Sequence, residues 1–203
     1  MLPTGTTSGM PRATALIPLA FAAALAVGSA AGCGEPGQPA QTGGVDSDLP
    51  AYDGFALQVF DDNIDPAAVG LTLESPSPRG DRLLRERART ADVVARVRVN
   101  TVTVDSIGDE STYHLWIQIG YPPLATPRVA DKTFELIIRP GSRAYGIAKA
   151  FDARLRGLTF IGFIRRFAGE SGEPEIHWHL SPDTAEVAAV VREAIALGEL
   201  SAP

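Results

Sequence analysis

The chain has 203 residues, 45% of them hydrophobic, with 18 basic and 24 acidic side chains and a formal net charge of −6. That acidic balance argues against a nucleic-acid partner, which selects for basic surface, and a single cysteine excludes an internal disulfide. Sixteen of the basic residues are arginines, with Lys132 and Lys149 the two lysines, a compositional bias rather than a phosphate-binding signature.

Arg12 is the one charge before an apolar run, Ala13 to Val27, which ends in the small residues Gly28 to Gly32 and then Cys33. A short positive region, an apolar core and small residues make an export signal. Pro18 interrupts the run, which is shorter and richer in Ala than a spanning helix of roughly 20 apolar residues requires. Met10-Pro11-Arg12 would open a more usual signal than Met1, so translation is expected to start at Met10.

Ala30-Ala31-Gly32-Cys33 resembles the lipobox of bacterial lipoproteins, with Ala30 where Leu is the usual residue. The resemblance implies that the Cys33 thiol takes a diacylglyceryl group and that residues 1–32 are then removed. Acyl chains contribute about 0.8 kcal/mol per buried methylene, enough in pairs for stable attachment. The resemblance also implies, because Gly34 and not Asp follows the cysteine, a place at the periplasmic face of the outer membrane. An ordinary secretory signal cut near Ala31, leaving a free thiol, is the alternative. Loss of residues 1–32 takes away Arg12 alone and leaves 17 basic against 24 acidic side chains, a net of −7.

Residues 34–50 are rich in Gly, Pro, Gln, Thr and Asp. They carry too little apolar surface to offset chain entropy, and as a coil they reach roughly 20 to 25 Å. Residues 51–203, about 150 in all, have the size of one domain with one core.

Phe55, Leu57 and Val59 alternate and predict a short strand over 55–60. Asp61, Asn63 and Asp65 have the spacing of the first calcium ligands of an EF-hand loop, but Pro66 and Thr72 stand where Gly and Glu are needed. Asp65-Pro66 reads instead as the cap and first residue of a short helix, which leaves Asp61 and Asp62 as loop residues. Residues 81–90 predict a charged helix, and the seven arginines between 79 and 98 a solvated face.

Residues 92–105 form a β-rich run whose apolar phase changes, with Ala95, Val97 and Val99 on one side and Val102 and Val104 on the other; a bulge near Asn100-Thr101 would return both groups to the core. A turn over 106–111 leads to a strand over 112–119 with Tyr113, Leu115, Ile117 and Ile119 inward. A third strand follows over 133–139, then a helix over 145–156 with Ile147, Phe151 and Leu155 recurring and Gly157 as its cap. An apolar strand over 158–167, a fifth strand over 175–180 and a helix from Ser181-Pro182 to Leu197, packing through Val187, Val190, Val191 and Ala194, complete the chain.

The predicted class is α+β: a mainly antiparallel five-stranded sheet, with a helix between the third and fourth strands and a C-terminal helix. The order of elements resembles the OB-fold, a Greek-key barrel; the alternative is an open antiparallel sheet with helices on one face. The resemblance implies a shared ligand face carrying His114, Trp116, Glu135, Ile137, Arg139, Glu175, His177 and His179. His177 and His179 share one side of a strand, as a metal pair would, but His114 is expected two strands away, about 10 Å, so no metal site and no cofactor are predicted. Catalytic phrases are missing: no Gly-x-Ser-x-Gly, His-Glu-x-x-His or phosphate loop.

These features predict an outer-membrane lipoprotein held by its N-terminal lipid, with a noncatalytic domain that binds another envelope protein or a small ligand. A small-solute-binding lipoprotein serving a transporter, and an envelope hydrolase, are the alternatives.

Overall fold

The computed structural model describes residues 49–72 and 77–201. The signal segment, Cys33 and nearly all of the 34–50 tether lie outside the described residues.

The frame is a six-stranded curled half-barrel in the order β1-β6-β5-β2-β3-β4. The strands are β1 (Asn63–Ile64), β2 (Val93–Ile107), β3 (Glu110–Ile119), β4 (Thr133–Ile138), β5 (Thr159–Ala168) and β6 (Pro174–Pro182). Two expectations are corrected: there are six strands rather than five, and β1 pairs with β6 in parallel. Two residues are too short a run to announce themselves by alternation, and only docking against β6 makes β1 a strand.

Residues 55–60 are a third correction, because Ala56–Val59 form a helical turn, α1. Two periods compete in this stretch. Alternation would bury Phe55, Leu57 and Val59, whereas the i, i+3, i+4 spacing of a helix buries Ala56, Val59 and Phe60. The second wins: Val59 and Phe60 are buried, while Phe55 and Leu57 remain exposed.

β2 has the predicted bulge, a register shift between Val99 and Thr101. It sets Val102 opposite Leu115 and against the core, but Val104 stays exposed. The reason is length. β5 pairs with β2 only from Val93 to Arg98, so the far half of the β2–β3 hairpin extends past the barrel wall.

Helices cover both faces, not one. On the inner face, α3 (Tyr145–Leu155) buries Ile147, Ala148 and Leu155 among Val97, Leu115, Leu136, Phe160 and Trp178. On the outer face, α2 (Arg82–Thr90) and α4 (Ala185–Ser201) bury Leu84, Ala88, Val187, Val190, Val191 and Ala194 against Val94, Ile161, Phe163 and Phe167. This two-sided cover explains the continuous apolar run of β5, which has a core on each side. Asp81 caps α2 by accepting from Leu83 and Leu84 N–H, and a 3-10 turn, Pro66–Val69, is capped by Asp65 as its Pro implies. α4 starts later than expected, capped by the Thr184 hydroxyl, because β6 runs on through Pro182. Among the described residues no helix is long and apolar enough to cross a membrane.

Candidate functional site

The chain leaves α1 at Phe60 and turns sharply through Asp61 and Asp62 before entering β1. Asp62 sits in the left-handed region at φ 47°, which Asp tolerates better than most residues. The turn is held on β6 from both sides: Asp62 N–H donates to the Trp178 carbonyl at 3.0 Å, and Trp178 N–H donates to Asp62 Oδ1 at 3.1 Å. Parallel pairing of β1 then carries the two aspartates along the edge that presents His177 and His179.

Each carboxylate meets one imidazole. His177 Nδ1 lies 2.8 Å from Asp62 Oδ2, and His179 Nδ1 lies 2.7 Å from Asp61 Oδ1. A carboxylate can only accept, so each Nδ1 carries a proton, and in a neutral ring the Nε2 is then an acceptor. Both rings are buried, with Trp178 between them turned into the inner core. Tyr52 stacks on His177 with centroids 3.3 Å apart, and its hydroxyl donates to the Phe60 carbonyl. Burial, then the charges of Asp62 and Asp61, push the Tyr52 phenol up to about 12.

Asp61 is the more deeply engaged. Its Oδ2 is 3.1 Å from Arg143 Nη1, and Arg87 Nη2 stands 3.8 Å from its Oδ1. Burial pushes the Asp61 carboxyl up, but the hydrogen bond from His179 and the His179 and Arg87 charges outweigh it, holding the group below the usual carboxylate range. Burial lowers His179, and the opposing pull of Asp61 does not restore it. At neutral pH the pair is therefore an ionised carboxylate and a neutral ring.

β1 and Asp62 cover the last part of the β6 edge. The first part, Pro174 to His177, faces β4 across an open seam, because β4 ends the sheet on the other side. A cleft of about 420 Å³ fills this seam, lined by Glu135 and Ile137 of β4, by Arg139 just past its end and by Glu175, Ile176 and His177 of β6, with Asp62 and Arg166 beside them. His177 Nε2 is buried there with no hydrogen-bond partner, and its nearest charged neighbour is Glu175 Oε2 at 3.7 Å.

Of the residues predicted to share a face, Glu135, Ile137, Arg139, Glu175 and His177 meet in this cleft. His114 and Trp116 lie beside it on β3. His114 bridges Glu135 at 2.7 Å and Asp105 at 3.3 Å, so both its ring nitrogens are engaged. Trp116 is half exposed, across from Glu135 in register. His179 turns to a different cleft, with Asp61, Arg87 and Arg143. Among the described residues no group of three His, Cys, Asp or Glu side chains converges as a metal site.

Of the residues that organise the site, Asp61 and Asp62 read in the sequence as loop residues and Arg87 as part of a solvated face, although Arg87 is buried; Tyr52 and Arg143 are not singled out there. The two aspartates are more than a hundred positions from their histidines, and the sole sequence signal was an acidic pair facing a His-x-His strand of unknown partner. No protein-family model, curated protein or solved structure matches this chain.

Proposed function

We propose that the chain is a lipid-anchored protein of the bacterial envelope, attached through Cys33 at the periplasmic face of the outer membrane. Its domain binds a small donor-rich ligand, bearing hydroxyl or amine groups, between β4 and β6. Anchoring rests on the apolar run, the small residues before Cys33 and the polar tether after it. The fold reading is OB-like: β2 pairs with both β3 and β5, a helix follows β4, and β6 returns toward β4, the strand path of a Greek-key barrel opened at one seam.

The observation that carries the ligand class is the His177 Nε2 acceptor. A buried acceptor without a donor costs about 1–3 kcal/mol, and a hydroxyl or ammonium entering the cleft removes that cost. Glu135, Glu175 and Asp62 around it favour the same donors, and half-exposed Trp116 offers an apolar face nearby for a ring.

The test is the 15N signal of His177 Nε2 during titration with glucosamine, with acetate as control. Glucosamine should move this signal saturably and acetate should not, and His177→Phe, which keeps a ring under Tyr52, should abolish binding. No glucosamine response at concentrations of tens of millimolar, roughly ten times a millimolar dissociation constant, would sink the ligand assignment. Anchoring is tested separately: Cys33→Ser should lose incorporated fatty acid and leave the membrane fraction, and retention of either would refute attachment at Cys33.

A second reading draws on the same geometry. Asp62 orients His177 as a carboxylate orients a general base, which would suit activation of a water in an envelope hydrolase. Among the described residues neither His177 nor His179 hydrogen-bonds a hydroxyl or thiol, so binding is preferred.

A further inference from the structure

The β2–β3 hairpin leaves the barrel with one edge of β2 bare. β5 pairs with β2 from Val93 to Arg98, and Val99 exchanges main-chain bonds with Gly157 and Leu158 at 2.8 and 3.0 Å. From Asn100 onward that edge makes no further main-chain bond among the described residues. β3 occupies the opposite edge as far as Ile107, which pairs with Glu110 across the turn Gly108-Asp109. Main-chain groups alternate between the two edges of a strand, and the pair that closes a two-residue turn is hydrogen-bonded. Ile107, Asp105, Thr103 and Thr101 therefore bond to β3, while Ser106, Val104 and Val102 turn their N–H and C=O groups to the open edge.

Exposed edges are usually guarded by Pro, Lys or other charge. Residues 101 to 107 contain no Pro or Lys, and Asp105 is their one charge. Val104 and Ile107 are left 42% and 87% exposed.

We propose that this edge pairs with the same edge of a second copy, antiparallel and centred on Val104, joining the two hairpins into one four-stranded sheet. Paired residues share a face, so the two-fold axis falls on a residue and not between two. Centring on Thr103, or nearer the barrel, would drive Ile107 against Val99, where Leu158 already holds the edge. Centring on Asp105 would set that carboxylate directly opposite its copy, which is destabilising. Centring on Ser106 would leave Val102 and Val104 facing nothing but the turn. The Val104 register avoids all three. Val104 then exchanges two bonds with Val104 of the other copy, and Val102 and Ser106 exchange two with each other, so every open donor and acceptor is used. Thr101 meets Ile107, Thr103 meets Asp105, and the turn of the other copy ends beside Asn100, short of Leu158. Trp116, in register with Thr101, falls on the same face of the combined sheet in both copies. A strand pair of this length buries less than the roughly 1,200 Å² of stable complexes, so the dimer is weak, with a dissociation constant on the order of 0.1 mM.

The experiment uses the full chain with Cys33→Ser, so that one introduced thiol is the sole cysteine. Residues 102 to 106 are replaced by Cys one at a time and oxidised with copper phenanthroline. Val104→Cys should crosslink to itself at least about fivefold faster than the other four, because a hydrogen-bonded pair stands about 5.5 Å apart at Cα, within disulfide reach. A mixture of Val102→Cys and Ser106→Cys should yield the mixed dimer. Sedimentation of the chain at about 0.5 mM, several times the expected constant, should show dimer. Val104→Lys should abolish it with the thermal midpoint nearly unchanged, whereas Thr103→Lys, which meets Asp105, should keep it. A monomer at that concentration, undiminished dimer in Val104→Lys, or crosslinking that is even along 102 to 106 or peaks at 103 or 105, overturns the proposal.

Discussion

His177 and His179 stand two positions apart on β6 and point to the same side of the strand, yet they serve different clefts. His177 is held by Asp62 at 2.8 Å beside the β4 seam, and His179 by Asp61 at 2.7 Å beside α2. Adjacent aspartates thus divide two histidines that a strand places together. The left-handed Asp62 makes the division possible, because the turn there aims its carboxylate away from that of Asp61.

Acid should destabilise the domain in two stages. The His179 pKa is depressed in the fold, so the unfolded chain binds more protons below its ordinary value of 6.5, and stability falls as pH drops through that value. Asp61 is also depressed, so its contribution is present above 3.8 and is lost as pH falls further, through the folded-state value. Urea unfolding against pH should show both losses. His179→Gln should remove the first; an unchanged profile in that variant would assign the acid sensitivity elsewhere.

Asp62→Asn should fold close to normally, because Asn also tolerates the left-handed region and its carbonyl still accepts from Trp178 N–H. The same change replaces the carboxylate facing His177, and the ring's tautomer signals in 15N spectra should shift. Asp62→Val faces backbone strain and loses both bonds, costing about 1–3 kcal/mol in denaturant unfolding.

Asp61→Ala should cost about 3–5 kcal/mol, since it leaves Arg87 buried with no counter-charge within salt-bridge range. Asp61→Ala combined with Arg87→Met should recover part of that loss. A double-mutant cycle reads the coupling directly, and additive losses would show that the pair acts independently despite its burial.

Gly162 lies on β5 with both core layers beside it. A Cβ there would meet Val97 Cγ2 at 2.9 Å and Cγ1 at 3.0 Å. Gly162→Ala should cost about 1–3 kcal/mol by overpacking, and adding Val97→Ala should relieve part of it. Thermal unfolding of the three variants provides the check.

Local patterns settled much of the barrel before any tertiary contact was known. The phase change in β2, the inward residues of β3, the α4 stripe and the Asp65-Pro66 cap are all written in spacings of two to four residues, and each is found in the fold. The lipobox resemblance is equally local, and its consequences rest on Cys33 alone. What tertiary structure decided lies where local signals conflict or are too short. Residues 55–60 fit two periods, and the outer apolar layer selected the helical one. β1 has two residues and exists through its pairing with β6. That parallel pairing brings Asp61 and Asp62 to His177 and His179, a juxtaposition no spacing could encode because more than a hundred residues separate the partners. The residues expected to share one face do meet in one cleft in β4 and at the start of β6, where strand alternation suffices. The expectation diverges at His179, where the long-range arrival of Asp61, Arg87 and Arg143 gives a neighbouring residue a different environment.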